Sequence, residues 1–111
     1  MSTQSAYPQT GDAPDLSTIS TVTVLQALAD PVRLEIVRQL AECGSRELSC
    51  GQIEVPVRKS TTSHHLKALS CAGILAEREV GTRKYLSLRR EELDRHFPGL
   101  IDLVLRGADA R

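Results

Sequence analysis

A chain of 111 residues makes one domain and is too short for two ordinary ones, and with 41% hydrophobic but only 3% aromatic residues its core is expected to be small and aliphatic. Lys plus Arg equal Asp plus Glu at 14 each, so a uniformly basic or acidic protein is excluded and the distribution of charge becomes the informative quantity. No apolar run approaches bilayer length, no apolar stretch follows a basic start, and three cysteines (Cys43, Cys50, Cys71) fit reduced, small buried hydrophobes better than a disulfide frame, so a soluble cytoplasmic protein is expected.

Residues 1–17 are rich in Ser, Thr, Gln, Pro and Gly without apolar periodicity and are read as a disordered tail. Residues 18–106 form the predicted domain, and residues 107–111 a flexible end. Val22, Leu25, Leu28 and Ala29 recur at helical spacing, which predicts a helix from about Ser20 despite its β-branched start. Asp30-Pro31 restarts the chain: an aspartate oxygen accepts from free first-turn amides, and proline at the first helical position loses no hydrogen bond. The second helix follows, with Val32, Ile36 and Leu40 beside Val37 and Ala41 as its inner face and Gly44 as its stop.

Between Glu47 and Val55 the anchors Leu48, Ile53 and Val55, with Ser49 as cap, predict a short helix that Pro56 ends. After a turn at Val57-Arg58 comes a helix over Ser60 to Ala72. Thr62, Leu66 and Leu69 form its inward row, while Ser60, Ser63, His64 and Lys67 share the opposite face at steps of three and four. Gly73 suits a left-handed cap. Residues Ile74 to Val80 and Lys84 to Leu88 alternate as two strands around Gly81-Thr82, a hairpin. A last helical stretch opens at Arg90 and is interrupted at Phe97-Pro98-Gly99. Beyond it Leu100, Ile101, Leu103, Val104 and Leu105 point in nearly every direction, more apolar surface than one small core covers, so a second chain is expected against it. The predicted fold class is mainly α with a β-hairpin wing, in the order α-α-α-α-β-β-α: a winged helix-turn-helix.

Charge is segregated along this order. From Pro56 to Arg90 there are eight basic residues (Arg58, Lys59, Lys67, Arg78, Arg83, Lys84, Arg89, Arg90) against two acids (Glu77, Glu79), and both flanks are net acidic. A polyanion binder needs positive potential only where it meets phosphate. Hydroxyls and an imidazole beside those cations supply donors and acceptors for base edges: Ser60, Thr61, Ser63 and His64 are the candidate base readers, and Lys59 can reach guanine or a phosphate. Arg58 and Lys67 are placed on the DNA backbone, and Arg78, Arg83 and Lys84 in the wing. His65 turns about 100° from His64, so the two do not make one metal site; it is given a packing or flanking role.

The segments LADPVRLEIVRQL, KSTTSHHLKALSCAGIL and VGTRKYLSL resemble the ArsR/SmtB family of bacterial transcriptional regulators, over about Leu25 to Leu105. That resemblance implies a homodimeric sequence-specific regulator whose first and last helices pair, with Val22, Leu25, Leu100, Ile101, Leu103 and Val104 at the interface, and whose partner is double-stranded operator DNA. Repression is the family's usual outcome, and activation stays open. Family members often sense a metal or another effector. Where arsenic and cadmium sensors carry thiolates, this chain has Ser49 and Gly51 with Cys50 between them. The zinc- and nickel-type site of the last helices is half matched by Asp94-Arg95-His96, whereas its second half falls on Gly107 and Ala110. No cofactor is required; nickel or zinc is the implied effector ahead of arsenic or cadmium, and the reading of Asp94 and His96 as surface residues at a helix start stands ahead of a metal half-site. A metal-independent regulator and a winged-helix protein-interaction module are the alternatives. No nucleophile, base and orienting group occur together, so an enzyme is not expected.

Overall fold

The structure, a computed structural model, describes residues 13–43 and 47–109. Helix α1 spans Thr21–Leu28. The Ser20 hydroxyl accepts from the Thr23 amide at 3.1 Å, an N-cap that offsets the β-branched start. Helix α2 spans Pro31–Glu42, and one oxygen of Asp30 accepts from the amides of Val32 (2.8 Å) and Arg33 (3.2 Å) with proline at the first position, as expected. Ile36, Val37 and Leu40 put the inner face of α2 at the centre of an aliphatic core. The stop expected at Gly44 lies outside the described residues.

The helix expected over residues 47–55 is not formed. Leu48–Ser49 is a two-residue strand, β1, followed by a 3₁₀ turn at Cys50–Gln52. So short a segment containing Gly51 gains little from helical propagation, whereas pairing with the later strand satisfies its amides. Helix α3, Lys59–Cys71, follows and ends in a Schellman motif: Gly73 takes φ +82°, its amide reaches Ser70 O at 3.0 Å, and the Ile74 amide reaches Leu69 O at 3.0 Å. Strands β2 (Leu75–Val80) and β3 (Arg83–Leu88) pair antiparallel from Leu75↔Leu88 to Val80↔Arg83. Gly81, at φ +61°, makes the turn. Strand β1 adds to the other edge of β3 in the register Leu48↔Leu86, so the wing is the outer part of a three-stranded sheet ordered β1-β3-β2.

Helix α4 (Arg90–His96) and helix α5 (Leu100–Asp109) replace the single closing helix, broken at Phe97-Pro98-Gly99, where Gly99 has φ +87°. The order is therefore α-α-β-α-β-β-α-α, mostly helical with a small antiparallel sheet. The tail boundary also moves. Asp15 caps a 3₁₀ turn at Leu16–Thr18 by accepting from the Ser17 amide at 3.0 Å, Leu16 is buried in the core, and Arg89 Nη1 donates to the carbonyls of Pro14 (2.7 Å) and Gly73 (2.9 Å). The expected tail thus becomes part of the fold at least from residue 13, because one leucine finds a place over Gly73. Residues 1–12 lie outside the described residues. At the other end α5 continues through Asp109, past the predicted limit at 106. Among the described residues no helix is long and apolar enough to cross a membrane.

Candidate nucleic-acid interface

Helix α3 divides as its sequence predicts. Thr62, Leu66 and Leu69 are buried, and His65 is buried with them. Lys59, Ser60, Thr61, Ser63, His64 and Lys67 are exposed, with Arg58 exposed at the N-cap. Thr62 helps define the first turn, since its hydroxyl donates to Arg58 O at 3.0 Å. The approach to α3 is held from α2: Gln39 Nε2 donates to Glu54 O at 2.6 Å while Gln39 Oε1 accepts from the Glu54 amide at 3.0 Å. One side-chain amide thereby pairs both the N–H and the C=O of Glu54 as a neighbouring strand would, fixing the turn that delivers the reading helix. A glutamine at the end of an apolar row gave no sequence signal for this, because its partner lies fifteen residues away.

Cations on this side differ in what they can offer DNA. Among the described residues Arg58, Lys59, Lys67 and Arg83 have no carboxylate within ion-pair distance. Arg83 stands exposed at the tip of the hairpin. Lys84 is held loosely, 3.6 Å from Glu77. Arg78, expected as a wing contact, is engaged within the protein: Nη2 lies 2.6 Å from Glu47 Oε1, Nε 3.0 Å from Oε2, and the guanidinium stacks over the Tyr85 ring at 5.1 Å. A forked pair with a stacked face leaves little of it for phosphate. This hydrogen bonding holds the Glu47 carboxyl below its ordinary range against a smaller opposing effect of burial.

The residues expected at a dimer interface split into two groups. Val22 (61% exposed) and Leu103 (58%) are open to solvent with Leu25, and Leu25, Leu100 and Leu103 line one groove between α1 and the start of α5. Ile101, at 0% exposed, and Val104, at 9%, belong instead to the protomer's own core. One stripe of α5 must pack on α2, and a helix carrying apolar residues all round assigns these two to that stripe.

Asp94 and His96 each have a partner within the protomer. Asp94 Oδ2 is 3.0 Å from Arg90 Nε, and Arg90 also holds Asp102 at 2.8 Å. His96 Nε2 is 4.0 Å from Glu92 Oε1. Among the described residues no three His, Cys, Asp or Glu side chains gather to hold a metal, so one protomer does not complete a shell. Cys43 and Cys50 are half-buried, but Cys71 is exposed, contrary to the expected buried thiol, because it lies on the outer side of the last turn of α3. Burial pushes the Cys50 thiol up, away from the thiolate a soft metal needs.

The geometry has counterparts. A helix-turn-helix domain family model matches residues 28–78. The helix-turn-helix-type transcriptional regulator YceK of Bacillus subtilis is 38% identical over 83 residues, covering 73% of this chain and 82% of that protein. The arsenical resistance operon repressor of the same organism is 37% identical over 70 residues, covering 62% of this chain and 66% of its own length. Among solved structures, the homodimeric winged helix-turn-helix DNA-binding domain of a possible ArsR-family regulator from Mycobacterium bovis superposes with a TM-score of 0.62 at 32% identity, covering 79% of this chain and 77% of that one.

Proposed function

Because the chain belongs to the ArsR family of winged helix-turn-helix transcriptional regulators, we propose that it acts as a homodimer that sets two α3 helices into successive major grooves of a near-palindromic operator. The observation that carries this reading is the exposed face of α3. Lys59, Ser60, Thr61, Ser63, His64 and Lys67 stand open to solvent, and among the described residues neither the two lysines nor Arg83 has a carboxylate within ion-pair distance. Ser60, Thr61, Ser63, His64 and Lys59 read base edges; Arg58 and Lys67 hold phosphates flanking α3, and Arg83 and Lys84 those under the wing. Arg78 braces the wing instead. Val22, Leu25, Leu100 and Leu103 pack against the same residues of a second copy, which brings the two reading helices about 34 Å apart, one turn of duplex. The expected sign is repression, as for the arsenical resistance repressors it resembles.

Regulation follows from differential affinity: an effector that binds one dimer geometry better than the other shifts the population that fits DNA. Nickel or zinc is such an effector only if Arg90 releases Asp94 and the partner subunit completes the shell begun by Asp94 and His96. A fluorescent duplex from the upstream intergenic region, titrated at two salt concentrations beside a random duplex, tests the core of the proposal. A steep salt dependence with preference for the upstream duplex is expected, together with a dimer mass by sedimentation. A monomer that ignores both duplexes in dilute buffer would falsify it.

A further inference from the structure

We infer that Arg33 and His65 are positioning residues for operator recognition: their hydrogen bond locks α3 to the α1–α2 corner and so fixes the angle at which α3 presents its base-reading side chains. The inference rests on the regulator reading above. Every other inward residue of α3 that reaches the core, Thr62 aside, is aliphatic, and a histidine among them needs a partner because a buried polar ring without one is destabilising. Arg33 supplies it, Nε donating to His65 Nδ1 at 3.0 Å. A guanidinium only donates, so Nδ1 carries its lone pair and the ring is neutral with its proton on Nε2.

Three elements meet at this one guanidinium. Its Nη1 makes a longer contact of 3.4 Å to Ala27 O at the end of α1, the helix whose outer side carries Val22 and Leu25. The backbone from which Arg33 projects is itself pinned, since its amide donates to Asp30 Oδ1. On the far side, the His65 ring meets His64 edge-on with centroids 5.9 Å apart, and His64 belongs to the reading face. The other side chains that α2 and α3 bury among the described residues, Thr62 aside, are aliphatic, and such non-directional packing resists separation of the helices better than rotation of α3 about its own axis. The Arg33–His65 bond is directional and opposes that rotation.

This predicts a signature that a general packing role would not produce. Short hydroxyl and imidazole groups lose alignment with base edges when α3 rotates, whereas the long side chains of Lys59, Lys67 and Arg83 still reach phosphate. His65→Leu suits an aliphatic site but cannot accept, while His65→Asn keeps an acceptor near the Nδ1 position. We expect the ratio of operator to random-duplex affinity to fall about tenfold in His65→Leu, with random-duplex affinity, dimer mass and helical content unchanged, and to stay near the parent value in His65→Asn. Retention of the full ratio by His65→Leu, or equal losses in the two variants, would overturn the inference. Should the leucine variant fail to fold, long-range nitrogen–proton spectra of the parent protein decide: Nε2-protonated His65 supports the lock and Nδ1-protonated His65 removes it. If the parent itself does not distinguish operator from random duplex, the regulator reading fails rather than the pairing.

Discussion

Arg78 and Glu47 form a forked ion pair, with Nη2–Oε1 at 2.6 Å and Nε–Oε2 at 3.0 Å, which ties β2 to the residue before β1 and engages one wing cation within the protein. Arg83, at the hairpin tip, has no such partner among the described residues. The two arginines should therefore behave differently. Arg83→Ala is expected to weaken operator and random duplexes alike and to lower the slope of log affinity against log salt by about one. Arg78→Ala should leave that slope unchanged. Parallel salt titrations check both, and equal slope changes would put Arg78 back on the DNA.

Readers of base edges leave another mark. His64 and Lys59 are exposed on the face of α3 turned away from the core. Replacing either by alanine should cost about 1–3 kcal/mol on the operator and much less on random sequence, if each reads a base. Competition binding with single-base operator variants locates the base concerned. Equal losses on every duplex would assign the residue to phosphate.

What was legible in the sequence was what neighbouring residues decide. The helix start near Ser20, the cap at Asp30, the left-handed Gly73 and the two faces of α3 each follow from residues within one or two turns of one another, and the structure agrees. What was not legible depends on distant partners. Leu48 is a strand residue because Leu86 lies beside it, Arg78 is engaged because Glu47 sits 31 residues earlier, and Leu16 is buried because Gly73 leaves space for it. Helix α5 shows the intermediate case. Its apolar residues exceed what one small core covers, but only the packing on α2 decided that Ile101 and Val104 face inward while Leu103 faces out.

That division of α5 separates association from folding. Leu103→Glu places a charge on an exposed site and should shift the molecule from dimer to monomer while the protomer's helical content persists. Ile101→Ala removes buried methyl groups from the protomer core and should cost about 2–5 kcal/mol of folding stability. Sedimentation velocity and urea unfolding, run on both variants, distinguish the two roles. Loss of folding in Leu103→Glu at every concentration would show that the protomer core needs that residue.

Gly73 joins the recognition helix to the wing under two constraints. At φ +82° a side chain is strained, and a Cβ built there would stand 2.7 Å from Leu16 Cδ2. Gly73→Ala should therefore destabilise the fold by about 1–2 kcal/mol through the left-handed backbone, with a further loss as Leu16 is displaced. Thermal unfolding measures the total. A second variant, Leu16→Ala with Gly73→Ala, should cost less than the sum of the two single changes, because the closest clash disappears with the leucine, leaving Ile19 Cδ1 at 3.0 Å.

Acid weakens the fold through the cap of α2. Burial raises the Asp30 carboxyl, but the amide hydrogen bonds from Arg33 and Val32, with the nearby Arg33 guanidinium, together hold it below its ordinary range. A carboxyl whose folded pKa lies below its unfolded one contributes stability that is complete above the unfolded value and is lost as pH falls through the folded value. Asp30→Ala should thus cost about 1 kcal/mol near neutral pH, and the gap between variant and parent should narrow progressively in acid. Urea unfolding at a series of pH values tests this. A gap that stays constant down to about pH 2 would mean that the charge of the Asp30 carboxylate adds nothing to the capping hydrogen bonds it accepts.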